Sequence, residues 1–207
     1  MKALLFIHGV PPKELPDVRG YELIACTDGA YLYLKDKGFD LDKLDFISGD
    51  FDSHPEVYKT FKSEKIIYTP NQEFTDFEKA LDVLKSKGIC KVDVYGGSGG
   101  EMDHFLGNLT AAYRFYHDME VHFFDEFSTY FFLPKEFVIS NVQGKMISLY
   151  PYPIAKGITT KGLRWPLQNE SLDMYSRIGT RNFAVDDKVQ VQFNEGDMLI
   201  FIANEKA

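Results

Sequence analysis

The sequence predicts an α/β unit, a mostly parallel sheet flanked by helices, followed by an all-β, sandwich-like unit. Two observations predict it. Up to about residue 125, short runs rich in Val, Ile, Phe and Tyr alternate with segments of helical periodicity, whereas from residue 126 the runs continue with no convincing amphipathic segment between them. The domains expected are therefore 1–125 and 126–207, with no low-complexity linker and no internal repeat.

In the first part the strand runs are Ala3 to Ile7, Tyr21 to Cys26, Asp45 to Ile47, Lys65 to Tyr68, Val92 to Tyr95 and Val121 to Phe124. The spacing predicts a helix over Thr75 to Lys87, with Phe77, Ala80, Leu81 and Leu84 on one face and Gly88 as its stop. A second helix is predicted over His104 to Tyr116 from Phe105, Leu109, Ala112 and Tyr116. In the second part Tyr130 to Leu133, Phe137 to Ser140, Met146 to Tyr150, Lys188 to Phe193 and Met198 to Ile202 read as strands. The run Lys188 to Phe193 alternates strictly, as a strand with one wet face should, and Asn194-Glu195-Gly196-Asp197 supplies a turn into the last strand.

With 207 residues, 44% of them hydrophobic, the chain has apolar material for one large or two small cores. A net charge of -8 and the absence of any basic run argue against a broad nucleic-acid or anionic-membrane surface. A polyanionic substrate must then be met locally, through a metal or backbone N–H groups. Cys26 and Cys90 lie far apart inside apolar runs, which predicts two buried thiols and neither a zinc site nor a disulfide. The apolar start of the chain stops at His8-Gly9 without a cleavage site, and no stretch approaches the roughly 20 apolar residues of a membrane span. The chain reads as cytoplasmic and unprocessed.

The chemistry concentrates in acids at strand-to-helix junctions: Asp28, Asp50, Asp52, Asp76 and Asp103. In Ser48-Gly49-Asp50-Phe51-Asp52-Ser53, alternation would point Asp50 and Asp52 to one side, and carboxylate oxygens suit a hard ion such as Mg2+. Taken singly, each acid has a plainer role, since Ser53 with Glu56 and Thr75 with Glu78 fit capping boxes and Asp76 suits a helix N-terminus. Four successive junctions with Asp at one sheet edge go beyond capping, because ligands of open parallel sheets bind at that edge. Gly96-Gly97-Ser98-Gly99-Gly100 follows a strand and precedes a helix, so its N–H groups are candidates for phosphate contact. It has neither the closing Gly-Lys-Ser/Thr of a Walker A loop nor the register of a dinucleotide fingerprint. Gly9 ends the first strand beside His8, where it flanks a nucleotide or forms a plain turn; His104 suits a helix start and Trp165 a sandwich core.

In this order the segments Asp28-Gly29-Ala30, Gly49 to Ser53, Gln72 with Thr75 to Leu81, Gly96 to His104, and Gly107-Asn108-Leu109 closely resemble the thiamine pyrophosphokinase family. Ser148 to Pro151 and Gly162 to Leu167 resemble that family's C-terminal signatures, so the resemblance covers nearly the whole chain. It implies a homodimeric enzyme that moves the diphosphoryl group of ATP onto thiamine, with an α/β nucleotide-binding domain followed by a β-sandwich. It also implies Mg2+ held by Asp50, Asp52, Asp76 and Asp103, with any of Asp50, Asp52 and Asp76 assisting the proton transfer. Gly9, Asp28, Gln72, Thr75, Gly97, Gly99, Gly100, Asp103 and His104 would surround ATP and its phosphates. Thiamine would lie against Trp165 and Asn182, between the N-terminal domain of one subunit and the C-terminal domain of the other.

The chain departs from the family at three places. Glu101 stands where an arginine usually follows the paired glycines, Arg181-Asn182 where Ser-Asn is typical, and Asn71 where Asp is common. Two rival readings remain at this stage: a sugar-nucleotide transferase using Asp50-Phe51-Asp52 on its metal, and a non-catalytic nucleotide- or thiamine-binding protein of the same fold.

Overall fold

The computed structural model describes residues 1–52 and 55–206, and the chain divides into two compact units, Met1–Asp125 and Glu126–Ala207. The expected capping box of Ser53 with Glu56 involves a residue outside the described ones.

Unit 1 contains strands β1 (Lys2–Phe6), β2 (Leu23–Thr27), β3 (Phe46–Gly49), β4 (Ile66–Tyr68), β5 (Lys91–Tyr95) and β6 (Glu120–Phe124), with helices α1 (Asp28–Asp36), α2 (Val57–Thr60), α3 (Asp76–Ser86) and α4 (Met102–Phe115). The sequence predicts a mostly parallel sheet, and all six strands pair in parallel; their order is β4-β3-β2-β1-β5-β6. After β4 the chain crosses back through α3 to place β5 beside β1, so the strand order reverses around β1. Such a reversal opens a crevice at the carboxyl ends of the strands.

The core follows from side-chain periodicity. On β1, Leu4 and Phe6 join Ile24, Cys26, Tyr31, Leu34, Ile47 and Phe51 in one cluster on the α1 side. The predicted stripe of α3, Phe77, Ala80, Leu81 and Leu84, is buried throughout. On α4 the stripe shifts: Leu109 and Ala112 are buried as expected, but Ala111 and Phe115 complete the buried face and Tyr116 caps the helix end. Cys26 is buried, whereas Cys90 is exposed, because it lies just ahead of β5 and not within it.

Unit 2 is antiparallel throughout: β7 (Ser128–Phe132), β8 (Glu136–Ile139), β9 (Lys145–Lys161), β10 (Glu170–Asp173), β11 (Gly179–Phe183), β12 (Val189–Gln192) and β13 (Glu195–Lys206). β9 runs well past the predicted end at Tyr150, and Gly157, at φ +66, bends it so that Lys145–Lys156 pairs with β13 and Thr159–Lys161 with β12. The expected turn Asn194 to Asp197 is instead largely strand: β13 starts at Glu195, and β12 and β13 pair with β9 in the same sense, Gln192 with Thr159 and Glu195 with Lys156, so the chain does not reverse between them. Val189, Val191 and Phe193 are buried while Gln190 and Gln192 face outward, as the alternation required.

That alternation sets an expectation for stability. Val191→Ala removes two buried methyl groups and is expected to lower unfolding free energy by about 2 kcal/mol, while Gln192→Ala stays within about 0.5 kcal/mol. Chemical denaturation followed by circular dichroism checks it; equal losses at the two positions would contradict the one-sided burial.

Candidate functional site

The carboxyl ends of β1, β2 and β3, the segment after β4 and the start of α4 enclose a cavity of about 500 Å³ in unit 1. Its walls include His8, Asp28, Asp50, Gln72, Asp76, Lys79, Glu101, Asp103 and Asn108. Four aspartates from four junctions therefore meet at one place, with Glu101 beside them.

Each is positioned by local chemistry. Asp28 opens α1 and is only 8% exposed. One of its oxygens accepts the N–H of Gly29 at 2.7 Å and the other the N–H of Phe51 at 3.1 Å. A Cβ on Gly49 would lie 2.2 Å from Asp28 Oδ2, so only glycine at 49 admits that carboxylate. Phe51 itself is buried and left-handed, at φ +59. That conformation breaks the expected alternation of the turn: Asp50 lines the cavity, Asp52 is exposed and does not. Burial pushes the Asp28 carboxyl up, the negative charges of Asp76 and Asp50 add to this, and its two N–H bonds oppose it.

Asp50 shifts the other way. Gln72 Nε2 donates to its Oδ2 at 2.8 Å and Asp52 N–H to its Oδ1 at 3.2 Å; with the charge of Lys79, these hold its carboxyl below the usual range. Asp76 is the first residue of α3, whose N-cap Thr75 forms the predicted capping box with Glu78. The Thr75 hydroxyl is used there, accepting Glu78 N–H at 3.2 Å and donating to Glu78 Oε2 at 3.3 Å. Glu78 also pairs with Arg114, tying α3 to α4. Asp103 lies in the first turn of α4, and exposed His104 stands 3.7 Å from Glu101.

The glycine loop has a packing role of its own. Gly9, Gly97, Gly99 and Gly100 do not line the cavity. The loop packs on the exit of β1: Val10 N–H donates to Ser98 O at 3.0 Å, a Cβ on Gly9 would lie 2.1 Å from Gly96 O, and one on Gly96 would lie 2.1 Å from Ile7 O. These two glycines serve close backbone approach. Asn108 adds a bond from α4 to Gly97 O at 3.0 Å.

Lys79 is the residue that the sequence reading missed. Buried on α3, its ammonium donates to Thr69 O at 2.8 Å and Asn71 O at 3.2 Å and lies 2.7 Å from the buried Oδ1 of Asp76. It thereby fixes both the loop carrying Gln72 and the acid at the helix start. A lysine between Phe77 and Ala80 on an apolar stripe, three residues after an aspartate, was the available signal.

In unit 2, Trp165 and Asn182 are neighbours. Trp165 is 58% exposed, with the Arg164 guanidinium 5.3 Å from its ring, and Asn182 bonds the Trp165 main chain. Trp165 is therefore not a core plug.

Comparisons with known proteins give the family. A family model described as thiamin pyrophosphokinase, catalytic domain, matches residues 18–123, and one described as thiamin pyrophosphokinase, vitamin B1 binding domain, matches residues 135–197. The chain belongs to the thiamine pyrophosphokinase family. It is 32% identical to rice (Oryza sativa) thiamine pyrophosphokinase 2, over 95% of this chain and 84% of that protein. It is 27% identical to thiamine pyrophosphokinase from Bacillus subtilis, over 97% of this chain and 98% of the relative. Against rice thiamine pyrophosphokinase 1 it is 31% identical over 72% of this chain, and the match spans 62% of that protein's length. The crystal structure of the B. subtilis thiamine pyrophosphokinase superposes with a TM-score of 0.82 at 23% identity, covering 98% of this chain and 99% of that one. Among the described residues no helix is long and apolar enough to cross a membrane.

Lys79→Met would leave two carbonyls and the Asp76 carboxylate without their cation. The expected loss is roughly 1–3 kcal/mol of unfolding free energy, as for buried groups left unsatisfied. A denaturation midpoint equal to that of the unsubstituted protein would show that Lys79 is replaceable by water.

Proposed function

We propose that this chain transfers the diphosphoryl group of ATP to the hydroxyethyl oxygen of thiamine, releasing AMP, with Mg2+ as the metal. The observation that carries the reading is the convergence of Asp28, Asp50, Asp76 and Asp103 on one cavity, in a chain of the thiamine pyrophosphokinase family. Unit 1 is the proposed nucleotide-binding and catalytic domain and unit 2 the proposed thiamine-binding domain. A homodimer with shared sites, in the cytoplasm, completes the proposal.

The donor set suits magnesium. Among the described residues no three acidic, histidine or cysteine side chains form a ready-made ligand cluster, and Mg2+ is commonly held by one or two carboxylates with phosphates and water completing the shell. Of the four acids expected to hold it, Asp50, Asp76 and Asp103 line the cavity, where one or two of them would bind the ion directly and the rest through water, and Asp52 would have to turn inward to join them. Bound there, Mg2+ would neutralise charge on the phosphate oxygens as the diphosphoryl group moves. Without such neutralisation the acids would repel ATP.

The residues also divide the roles. The Gln72 bond keeps Asp50 acidic, which favours a ligand over an acceptor of the thiamine hydroxyl proton. Of the other two candidates, Asp76 lines the cavity and Asp52 does not. Lys79 holds Asp76 in place, and the N–H bonds to Asp28 hold the turn that presents Asp50.

Incubated with ATP, Mg2+ and thiamine, the protein is expected to form AMP and thiamine diphosphate in equal amounts, and no AMP when thiamine is omitted. AMP formation indifferent to thiamine, or none at all, would sink the reading. Asp50→Asn should lower turnover by about 10–100-fold or more with an unchanged melting curve. With sites shared between subunits, co-refolding Asp50→Asn with Trp165→Ala should give, at low thiamine, more activity than the mean of the two variants alone. Glu101 lines the cavity with a side chain 79% exposed. Replacing it, Glu101→Arg, is expected to lower the KM for ATP roughly two- to five-fold, the range of an exposed charge pair; an unchanged KM would place this side chain away from the phosphates.

A further inference from the structure

Asn182 occupies a position that its sequence context does not explain. Strand β11 carries one extra residue between the Gly179–Leu149 and Asn182–Ile147 pairs, and Arg181, just before Asn182, is left-handed at φ +57. Ser148 Oγ accepts the Arg181 N–H at 2.9 Å and fixes this irregularity. Bulges of this kind re-aim a side chain.

The re-aimed amide reaches the segment beside it. Arg164 N–H donates to Phe183 O at 2.8 Å and Val185 N–H to Gly162 O at 2.9 Å, which lays Gly162–Trp165 along Phe183–Val185. Asn182 Oδ1 then accepts the N–H of Trp165 at 3.2 Å and of Phe183 at 2.8 Å, while its Nδ2 donates to Trp165 O at 2.7 Å. A side-chain amide offers two acceptor and two donor positions. Three of them are in use, so little of Asn182 is left for a ligand. Both main-chain polar groups of Trp165 are held by this one side chain, while the indole remains largely exposed.

We propose that Asn182 is a positioning residue: it clamps the main chain of Trp165 so that the exposed indole stands ready as a platform for the thiamine rings, and it does not itself meet the vitamin. This rests on the proposed thiamine-binding role of unit 2. A platform ordered before binding saves the ligand the entropy of ordering it.

Trp165 is the only tryptophan in the chain, so its freedom can be read directly by time-resolved fluorescence anisotropy and acrylamide quenching without any ligand. Asn182→Ala should add a fast component to the anisotropy decay and raise quenching. It should also raise the KM for thiamine roughly ten-fold, the factor one newly mobile side chain costs, with kcat and the KM for ATP little changed. Asn182→Asp keeps both acceptor bonds but turns the donor into an anionic oxygen against the Trp165 carbonyl, so it should loosen the indole relative to the parent; its anisotropy decay serves if Asn182→Ala does not fold. A raised KM with unchanged indole mobility would mean that Asn182 touches thiamine itself and would overturn the clamp. Unchanged mobility with unchanged KM would overturn it as well. A looser indole with an unchanged thiamine KM, together with no saturable change in Trp165 emission on adding thiamine to the parent protein, would instead overturn the thiamine platform on which the clamp depends.

Discussion

The buried carboxylate of Asp28 and the N–H of Phe51 hold the cavity edge of unit 1 in shape. The hydrogen bond joins the start of α1 to the turn after β3 across 3.1 Å. It requires glycine at 49, since any Cβ there would run into the carboxylate, and it accompanies the left-handed backbone of Phe51, whose ring is anchored in the core and packs edge-on against Tyr58. With Phe51 fixed inward on one side of the turn, Asp50 is presented to the cavity on the other. Asp28 thus acts on the site through the backbone as well as by facing it.

Holding that carboxylate has a thermodynamic sign. A carboxyl raised on folding contributes stability that is present below its ordinary pKa and lost as pH rises through the raised value, so the ionised Asp28 is carried at a cost at neutral pH. The fold tolerates it through the two N–H bonds to that carboxylate. The neighbouring glycines fit the same picture. A Cβ on Gly29 would lie 2.1 Å from His8 Nδ1, and Gly9 and Gly96 press backbone on backbone. Glycines at these junctions make room for neighbouring groups; backbone N–H groups aimed at phosphate are one use of glycine, and close packing is another.

Most of the architecture could be read from periodicity, because burial acts on whole faces. The α3 stripe and the Val189, Val191, Phe193 alternation emerged intact for that reason. Three kinds of feature escaped. β9 continues through Pro151 and Pro153, residues that lack a donor and ordinarily argue for a strand's end. β10 and β11 are short and carry Glu170, Asp173, Arg181 and Asn182, so their strand character comes from pairing with β9 and not from their own propensity. In the site, the acids at the junctions were visible as a pattern, yet a single left-handed residue, Phe51, separated Asp50 from Asp52, and no pattern of side-chain types reveals that dihedral angle.

What a signature residue does therefore depends on whether its polar atoms are free. Asp50 accepts two hydrogen bonds and still faces the cavity, so it remains available to a cation; Asp28 faces the cavity too but receives main-chain N–H groups on both oxygens. Thr75 has its hydroxyl committed to a helix cap, and Asn182 has its amide committed to the backbone of Trp165. In each case a polar side chain fixes a backbone segment that displays another group. Preorganisation of this kind removes conformational freedom before a ligand arrives, and misplacement by even an ångström is costly where reacting atoms must align. Loss of activity on replacing such a residue measures the geometry it imposes, so the positioning residues of this chain have to be separated from its ligand contacts by following the displayed group, Asp50 or Trp165, and not by turnover alone.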